Sequence, residues 1–213
     1  MRESKTAEIN PLKLVSNNVI WHKPEVTRRD RETLNGHKSL AIWFTGLPSS
    51  GKSTIAHAVE KTLHELEVRT YTLDGDNVRH GLCADLGFSP QDRKENLRRI
   101  AEMVKLFIDA GIVTLCAFVS PYEEDRERIK KHLGEENFVL IYCRCPVEVC
   151  EARDPKGMYT KAKRGEIKEY TGVSAPYEEP LKPNLILDTN LLSIKECVEK
   201  VLALVIPKLF SNE

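Results

Sequence analysis

The chain contains 213 residues, with 32 Lys plus Arg against 32 Asp plus Glu, so its formal net charge is zero. Such a balance argues against broad electrostatic capture of nucleic acid or of an anionic membrane, and we expect neither as a partner. The length suits one α/β domain with a substantial core. No apolar run is long enough to span a membrane, and the N-terminus carries Glu3 and Glu8 without a hydrophobic segment, which predicts a cytoplasmic protein without a secretory leader.

The six cysteines are expected to be reduced and packed in the interior. Cys143 and Cys145 lack the usual spacing of zinc ligands and have no histidine nearby. The full set is Cys83, Cys116, Cys143, Cys145, Cys150 and Cys197.

Residues 1–35 form a polar, weakly patterned extension before the domain at 36–213. Residues 10–11 (Asn-Pro) mark a turn, residues 19–21 form a short apolar patch, and the charged run 26–34 predicts a short helix capped by Thr27. The extension is either partly ordered or an arm that packs on a partner subunit or over a nucleotide site, and the sequence leaves this open.

From residue 39 onward, strand patterns alternate with helix patterns. The predicted strands cover 39–45, 68–73, 112–119, 138–143 and 184–188. The predicted helices cover 52–66, 95–110, 122–133, 147–153 and 193–210, and Gly111 is the expected C-cap of the second. This alternation predicts a three-layer α/β sandwich, in which a mainly parallel sheet of about five strands carries helices on both faces. Ligands are then expected at the carboxyl ends of the strands.

Residues 46–54 (GLPSSGKST), between the first strand and the first helix of this domain, match the phosphate-binding loop of P-loop proteins. Glycines let the backbone amides turn inward around an anion, and the following helix points its positive end at the same place. Lys52 can bridge the outer phosphates of a nucleotide, and the Ser53 hydroxyl can ligate Mg²⁺. The predicted nucleotide-binding residues of this loop are Gly46, Ser49, Ser50, Gly51, Lys52, Ser53 and Thr54.

Polar residues also follow the second and third predicted strands, at 74–79 (DGDNVR) and 120–122 (SPY). Two carboxylates and an arginine beside a phosphate loop suit phosphoryl transfer, because a carboxylate can hold Mg²⁺ through water or accept the proton of an attacking hydroxyl. An arginine can clamp an anionic group through two hydrogen bonds. This cluster therefore predicts a catalytic site rather than a simple turn.

The loop that follows contains Phe88, which either stacks on a base or plugs the core. Arg93 and Asn96 lie three residues apart on one helix, so both can address one ligand. Arg98 and Arg99 either extend this basic patch or pair with nearby Glu. A further polar segment, around 153–175, lies between the fourth and fifth strands, where we expect a mobile lid that excludes water and delivers cations.

Together these motifs resemble, in order and spacing, the adenylyl-sulfate kinase (APS kinase) family over nearly the whole chain. The resembling segments are 43–47, 74–79, 85–89, 92–96, 120–122, 153–157, 165–173 and 176–178, with part of the extension. The resemblance implies a P-loop kinase that uses ATP and Mg²⁺ to phosphorylate the 3′-hydroxyl of adenylyl sulfate in sulfate assimilation, giving 3′-phosphoadenylyl sulfate. It also implies a homodimer, and it leaves open whether the chain is functionally coupled to an ATP sulfurylase.

The resemblance also implies roles for single residues. Phe88 and Tyr170 would stack on the two faces of the adenine of adenylyl sulfate, and Arg153 would lie beside the adenine of ATP. The remaining parts of adenylyl sulfate would be held by Asp76, Arg79, Arg93, Asn96, Val119, Ser120, Lys156 and Thr171. The catalytic candidates are Lys52, Asp76 and Ser120, with Asp76 as general base or as a water-mediated contact to Mg²⁺.

Ser120 corresponds to a family serine described as a phosphoserine intermediate. Direct in-line transfer needs no protein nucleophile, and no base stands next to Ser120 in the sequence, so substrate binding is the role we expect. Three sites depart from the family pattern: Pro48 and Ser49 stand where Ser and Gly are usual, Tyr170 where Phe is usual, and Glu123 where Arg is common. Pro48 removes one N–H donor from the loop, but the other amides remain.

Three other functions compete with this interpretation: a kinase of the same fold for a nucleoside monophosphate or a sugar acid, a GTPase switch, and a non-catalytic nucleotide-binding module. Phe88 and Tyr170 favour an acceptor with an aromatic ring. The guanine-recognition pattern Asn-Lys-x-Asp is absent from the sequence. The presence of Lys52, Ser53 and Asp76 argues against a module that has lost catalysis.

Overall fold

The computed structural model describes residues 18–20 and 22–211, and its centre is a five-stranded parallel sheet. In chain order the strands are β1 (Ala41–Thr45), β2 (Thr70–Asp74), β3 (Val113–Ala117), β4 (Phe138–Arg144) and β5 (Leu185–Asp188). Across the sheet their order is β2-β3-β1-β4-β5, so β1, which leads into the phosphate loop, is the central strand. The predicted α/β fold with a parallel sheet is confirmed.

Seven α-helices connect or flank these strands in the described residues. They are α1 (Arg28–Asn35), α2 (Lys52–Glu65), α3 (Pro90–Asp109), α4 (Glu123–Leu133), α5 (Val147–Arg153), α6 (Met158–Lys163) and α7 (Ile194–Leu209), with 3₁₀ turns at Asn77–His80 and Glu135–Asn137. The predicted start of α3 at residue 95 is wrong, because Ser89 caps the helix and Pro90 occupies its first position. The predicted C-cap is also wrong: Ala110 is the cap, and Gly111 follows it with a positive φ of 80°.

The sheet is covered on both faces, and alternate residues of β1 enter two different cores. Ile42 and Phe44 pack with apolar residues of α2 and α7. Ala41 and Trp43 pack with apolar residues of α3 and α4. Every residue of β1 is buried, as expected for a central strand of a doubly covered parallel sheet.

Helix α1 lies at the amino-terminal edge of the sheet, away from the carboxyl ends of the strands. Its predicted cap is confirmed, because the Thr27 side chain accepts a hydrogen bond from the Asp30 backbone amide. Arg28 donates to the Ser39 carbonyl at 2.6 Å and to Asn137 Oδ1 at 2.9 Å. The described part of the extension therefore packs on its own domain, while the boundary at residue 35 stays a prediction. The turn at 10–11 and Trp21 of the apolar patch lie outside the described residues.

The expectation of reduced, packed cysteines is confirmed, since all six are buried and none forms a disulfide. Within 18–20 and 22–211, none of the helices combines the length and the apolar character that crossing a membrane requires.

Candidate active site

A cleft of about 860 Å³ opens at the carboxyl ends of the strands. Its walls come from the phosphate loop, from the segment after β2, from the start of α3, from the segment after β3, and from residues 153–171. The predicted site residues that line it are Ser49, Gly51, Lys52, Ser53, Thr54, Asp76, Arg79, Phe88, Arg93, Asn96, Val119, Ser120, Arg153, Lys156, Tyr170 and Thr171. Gly46 and Ser50 do not line it.

Gly46 and Ser50 instead pack the phosphate loop against β4 and the segment after β5. Gly46 has a φ of +147°, and a Cβ placed there would lie 2.5 Å from the Cys143 carbonyl oxygen and 2.7 Å from Ser50 Oγ. No side chain fits at this position, because real Cβ contacts are never so short. Ser50 is fully buried, and its carbonyl accepts a hydrogen bond from Thr189 Oγ1 at 2.8 Å. These two residues fix the loop backbone against β4 and the segment after β5.

The two unusual residues of the loop form a tight turn. The Ser50 amide donates to the Leu47 carbonyl at 3.2 Å, which places Pro48 and Ser49 at the two central positions. Ser49 has a φ of +60°, the sign that a type II turn requires at its second central residue. Proline suits the first central position of such a turn because its ring fixes φ near −65°. A positive φ is unfavourable for serine and would not be for glycine. Pro48 therefore favours the turn and offsets part of the cost at Ser49.

Lys52 and Ser53 begin α2, directly after this turn. The Lys52 ammonium is buried and donates to the carbonyls of Gly46 at 3.1 Å and of Leu47 at 2.7 Å. Burial lowers the pKa of Lys52. Ser53 Oγ donates to Asp74 Oδ2 at 2.5 Å. The Ser53 hydroxyl at the start of α2 and the Asp74 carboxylate at the end of β2 are both hard oxygen ligands. Together they suit Mg²⁺, which binds few side chains and keeps water and phosphate ligands.

Asp74 was not among the predicted site residues, although it belongs to the segment that the sequence singled out. It joins Ser53 through one carboxylate oxygen and accepts the Asp76 amide at 2.9 Å through the other. Asp76 forms an ion pair with Lys156. The hydrogen bond between these two side chains is the main cause that raises the pKa of Lys156. The two carboxylates therefore face different partners, Asp74 the phosphate loop and Asp76 the segment after α5.

On the opposite side of the cleft, Phe88 is 57% exposed and so does not plug the core. The Arg79 guanidinium carbon lies 4.3 Å from the centre of its ring, and that of Arg93 lies 5.8 Å from it. Burial and then the charge of Arg79 lower the pKa of Arg93. Two cations held this close to one aromatic face favour a ligand that is both flat and anionic.

Asn96 and Arg93 lie on α3 and face the same cleft. Asn96 is 5% exposed and lines the cleft, where its side-chain amide can donate to a ligand, although it also interacts with the buried Cys83 thiol. Arg93 donates to Thr171 Oγ1 at 3.2 Å and to the Glu169 carbonyl at 2.7 Å. Arg93 therefore joins α3 to the segment that carries Tyr170.

Arg98 and Arg99 do not line the cleft, because they pair with acidic residues. Arg98 donates to Glu95 at 2.7 and 2.9 Å. Arg99 donates to Glu95 at 2.9 Å and to the two oxygens of Asp85 at 2.6 and 2.8 Å. These contacts fix the loop before Phe88 onto α3.

Ser120 has an unusual backbone and a fully engaged side chain. Its φ is +37° even though a proline follows, a conformation that needs support from its surroundings. Its hydroxyl accepts from Trp43 Nε1 at 3.1 Å and donates to Thr45 Oγ1 at 3.0 Å, and its carbonyl accepts from Arg126 at 2.6 Å. Among the described residues, no carboxylate or histidine forms a hydrogen bond with the hydroxyl, so this arrangement offers no base that would activate it as a nucleophile.

The segment predicted as a lid, 153–175, contains the unpredicted helix α6. Arg153 donates to the Thr189 carbonyl at 2.6 Å and lines the cleft beside Thr54 and Leu192. The Asp154 carboxylate accepts the backbone amides of Met158 at 2.9 Å and Tyr159 at 3.0 Å, which caps the start of α6. The segment forms a wall of the cleft, and its Tyr159 and Tyr170 join an apolar cluster with Cys145 and Cys150. That it moves as a lid stays a prediction.

Comparison with known proteins gives a consistent result. The family profile described as adenylylsulphate kinase matches residues 38–188. An adenylyl-sulfate kinase of Oceanobacillus iheyensis is 55% identical over 187 residues, which cover 88% of this chain and 94% of the relative. One of Thermodesulfovibrio yellowstonii is 54% identical over 198 residues, 93% of this chain and 99% of the relative. The solved structure of a Mycobacterium tuberculosis APS kinase in complex with AMPPNP and APS is 44% identical and has a TM-score of 0.76, covering 79% of this chain and 98% of that one.

Proposed function

The chain belongs to the adenylylsulphate kinase family, and we propose that it transfers the γ-phosphoryl group of ATP to the 3′-hydroxyl of adenylyl sulfate. The observation that carries this proposal is that a single cleft holds both a phosphate loop and an exposed aromatic ring, Phe88, with two arginines close to it. The first suits a triphosphate and the second suits an anionic nucleotide. The reaction links the two, because the new bond forms between the γ-phosphorus and the acceptor oxygen as the bond to the β-phosphate oxygen breaks.

On the ATP side, the loop amides and Lys52 bind the phosphates. Lys52 leaves the Gly46 and Leu47 carbonyls when phosphate oxygens replace them as acceptors. Ser53 and Asp74 are the residues that would hold Mg²⁺, which supplies positive charge to the transferring phosphoryl group. Arg153 borders the adenine of ATP.

On the acceptor side, Phe88 and Tyr170 stack on the adenine of adenylyl sulfate. Arg79 and Arg93 hold its anionic groups, and the side-chain amide of Asn96 donates to it. Val119, Ser120, Lys156 and Thr171 complete this side of the cleft. The aromatic and cationic groups together select a nucleotide acceptor over a sugar acid.

Asp76 is the residue that accepts the proton of the 3′-hydroxyl, because its carboxylate lines the cleft between the two sides. Ser120 positions the substrate and is not phosphorylated, since its hydroxyl is already held by Trp43 and Thr45. Mass spectrometry of the enzyme quenched during turnover tests this: phosphate on Ser120 would contradict direct transfer.

The activity is tested by supplying radiolabelled ATP and Mg²⁺ with adenylyl sulfate, AMP or gluconate as acceptor. We expect label only in 3′-phosphoadenylyl sulfate, and loss of transfer when Mg²⁺ is chelated. Label in AMP but not in adenylyl sulfate would show a nucleoside monophosphate kinase instead. Binding of adenylyl sulfate without any transfer would show a non-catalytic module.

We also propose a homodimer, which the family resemblance supports, and a cytoplasmic location. Functional coupling to an ATP sulfurylase is a further proposal, on which the resemblance does not decide. Sedimentation velocity of the purified chain tests the first. A single species at the monomer mass of 24.2 kDa would contradict it.

A further inference from the structure

Tyr159 is a buried residue that contacts both sides of the cleft without lining it. Its side chain is 2% exposed. Its hydroxyl donates to the Pro48 carbonyl at 3.0 Å, across 111 residues of sequence. Its ring meets that of Tyr170 edge to face, with the ring centres 5.1 Å apart and the planes at 80°.

The contact with Pro48 fixes the orientation of a peptide bond in the phosphate loop. A trans peptide is planar, with its C=O and N–H pointing in opposite directions. When Tyr159 holds the Pro48 carbonyl, the direction of the Ser49 amide is fixed as well. Because Pro48 has no N–H, Ser49 is the first of the two central residues of the turn whose amide can donate to a phosphate.

Tyr159 is itself held firmly enough to act in this way. The Asp154 carboxylate accepts its backbone amide at 3.0 Å, and its ring packs with Cys145, Cys150 and Leu47. Burial raises the pKa of the phenol, so the hydroxyl stays protonated and remains a donor at neutral pH.

We propose that Tyr159 is a positioning residue with two separable functions, in which its hydroxyl orders the phosphate loop for ATP and its ring supports Tyr170 for adenylyl sulfate. The inference rests on the proposed function, because it assigns the two sides of the cleft to these two substrates. Removal of the hydroxyl alone then affects one substrate, and removal of the ring affects both.

The first test is Tyr159→Phe, which deletes the hydroxyl and keeps the ring. Loss of one hydrogen bond to the loop should raise the KM for ATP about 3- to 10-fold while the KM for adenylyl sulfate changes by less than about 2-fold. Tyr71→Phe is the matched control. Like Tyr159, Tyr71 meets another aromatic ring edge to face, with the centre of the Phe107 ring 5.4 Å away. Unlike Tyr159, it is 52% exposed and lies on the edge strand β2, away from the cleft. We expect both Michaelis constants of the control to match the wild type.

The second test is Tyr159→Leu, which keeps an apolar side chain and removes the ring. We expect weaker binding of adenylyl sulfate in addition to the effect on ATP. An unchanged KM for ATP in Tyr159→Phe, or an equal rise for both substrates, would overturn the proposal. These outcomes are measured against wild-type turnover of adenylyl sulfate, so failure of the proposed function would be seen first and separately, as an inactive wild type.

Discussion

Replacement of Arg126 by Met should destabilise the fold far more than the same change at Arg98. The Arg126 side chain on α4 is only 1% exposed. It donates to the carbonyls of Ser120 at 2.6 Å and Glu178 at 2.7 Å, and it pairs with the Glu123 carboxylate at 2.5 Å. Methionine has a similar length and no donor, so two carbonyls and one oxygen of the Glu123 carboxylate would lose the Arg126 donors, while the other oxygen of Glu123 keeps the Leu181 amide.

The expected loss follows from these contacts. Removing the buried member of an ion pair typically costs about 3–5 kcal/mol; here Glu123 is 20% exposed, but two carbonyls also lose their donor, so the same range is expected. For a chain of this size, each kcal/mol lowers the melting temperature by about 2–4 °C. Arg126→Met should therefore melt about 6–20 °C below the wild type.

Arg98→Met is the control, on α3. Arg98 pairs with Glu95 at 2.7 Å, the two side chains are 41% and 35% exposed, and Glu95 keeps its hydrogen bond from Arg99. Exposed ion pairs contribute about 0–1 kcal/mol, so this variant should stay within about 4 °C of the wild type. The measurement is thermal unfolding of the ligand-free proteins by circular dichroism. Equal melting temperatures for the two variants would refute the reasoning that burial sets the cost.

Other predictions concern the cleft and its supports. Lys52→Ala should lower kcat by about 100-fold or more, because a charge that stabilises the transferring phosphoryl group is lost, while calorimetry should show unchanged affinity for adenylyl sulfate. Phe88→Ala should weaken that affinity by about 1–3 kcal/mol, the contribution of one base–aromatic stack, and an unchanged dissociation constant would contradict stacking. Glu95→Gln should make the free energy of unfolding less dependent on pH in acid. The reason is that hydrogen bonds from Arg98 and then Arg99 lower the pKa of Glu95 from 4.5 to about 2. Its stabilisation is therefore present above about pH 4.5 and is lost as pH falls toward 2. Urea titrations between these limits should show the difference between wild type and variant shrinking, and a constant difference would contradict the assignment.

The parts of the fold that local patterns encode could be predicted from the sequence. The five strands and the phosphate loop follow from apolar runs and from glycine spacing, and β1 and β3 show these patterns clearly because both are fully buried. Helix α6 could not be predicted, because it spans only six residues (MYTKAK) of a charged segment. Its start is stabilised by the side chain of Asp154, which no periodicity within the helix reveals. The start of α3 was missed although Ser89 and Pro90 signal it, since its first turn is polar and lacks the apolar periodicity of the rest.

The two carboxylates after β2 show why linear spacing does not assign roles. Asp74 and Asp76 look equivalent in the sequence, yet one bonds Ser53 and the other pairs with Lys156, 80 residues away. The second pairing matters for the proposed proton transfer, because Asp76 must leave Lys156 before its carboxylate can contact a substrate hydroxyl. The side chains of Asp76 and Lys156 are 66% and 65% exposed, so separating them costs about 0–1 kcal/mol. Asp76 can therefore exchange Lys156 for a substrate hydroxyl at little cost, and the freed lysine can then meet the anionic acceptor on the same side of the cleft.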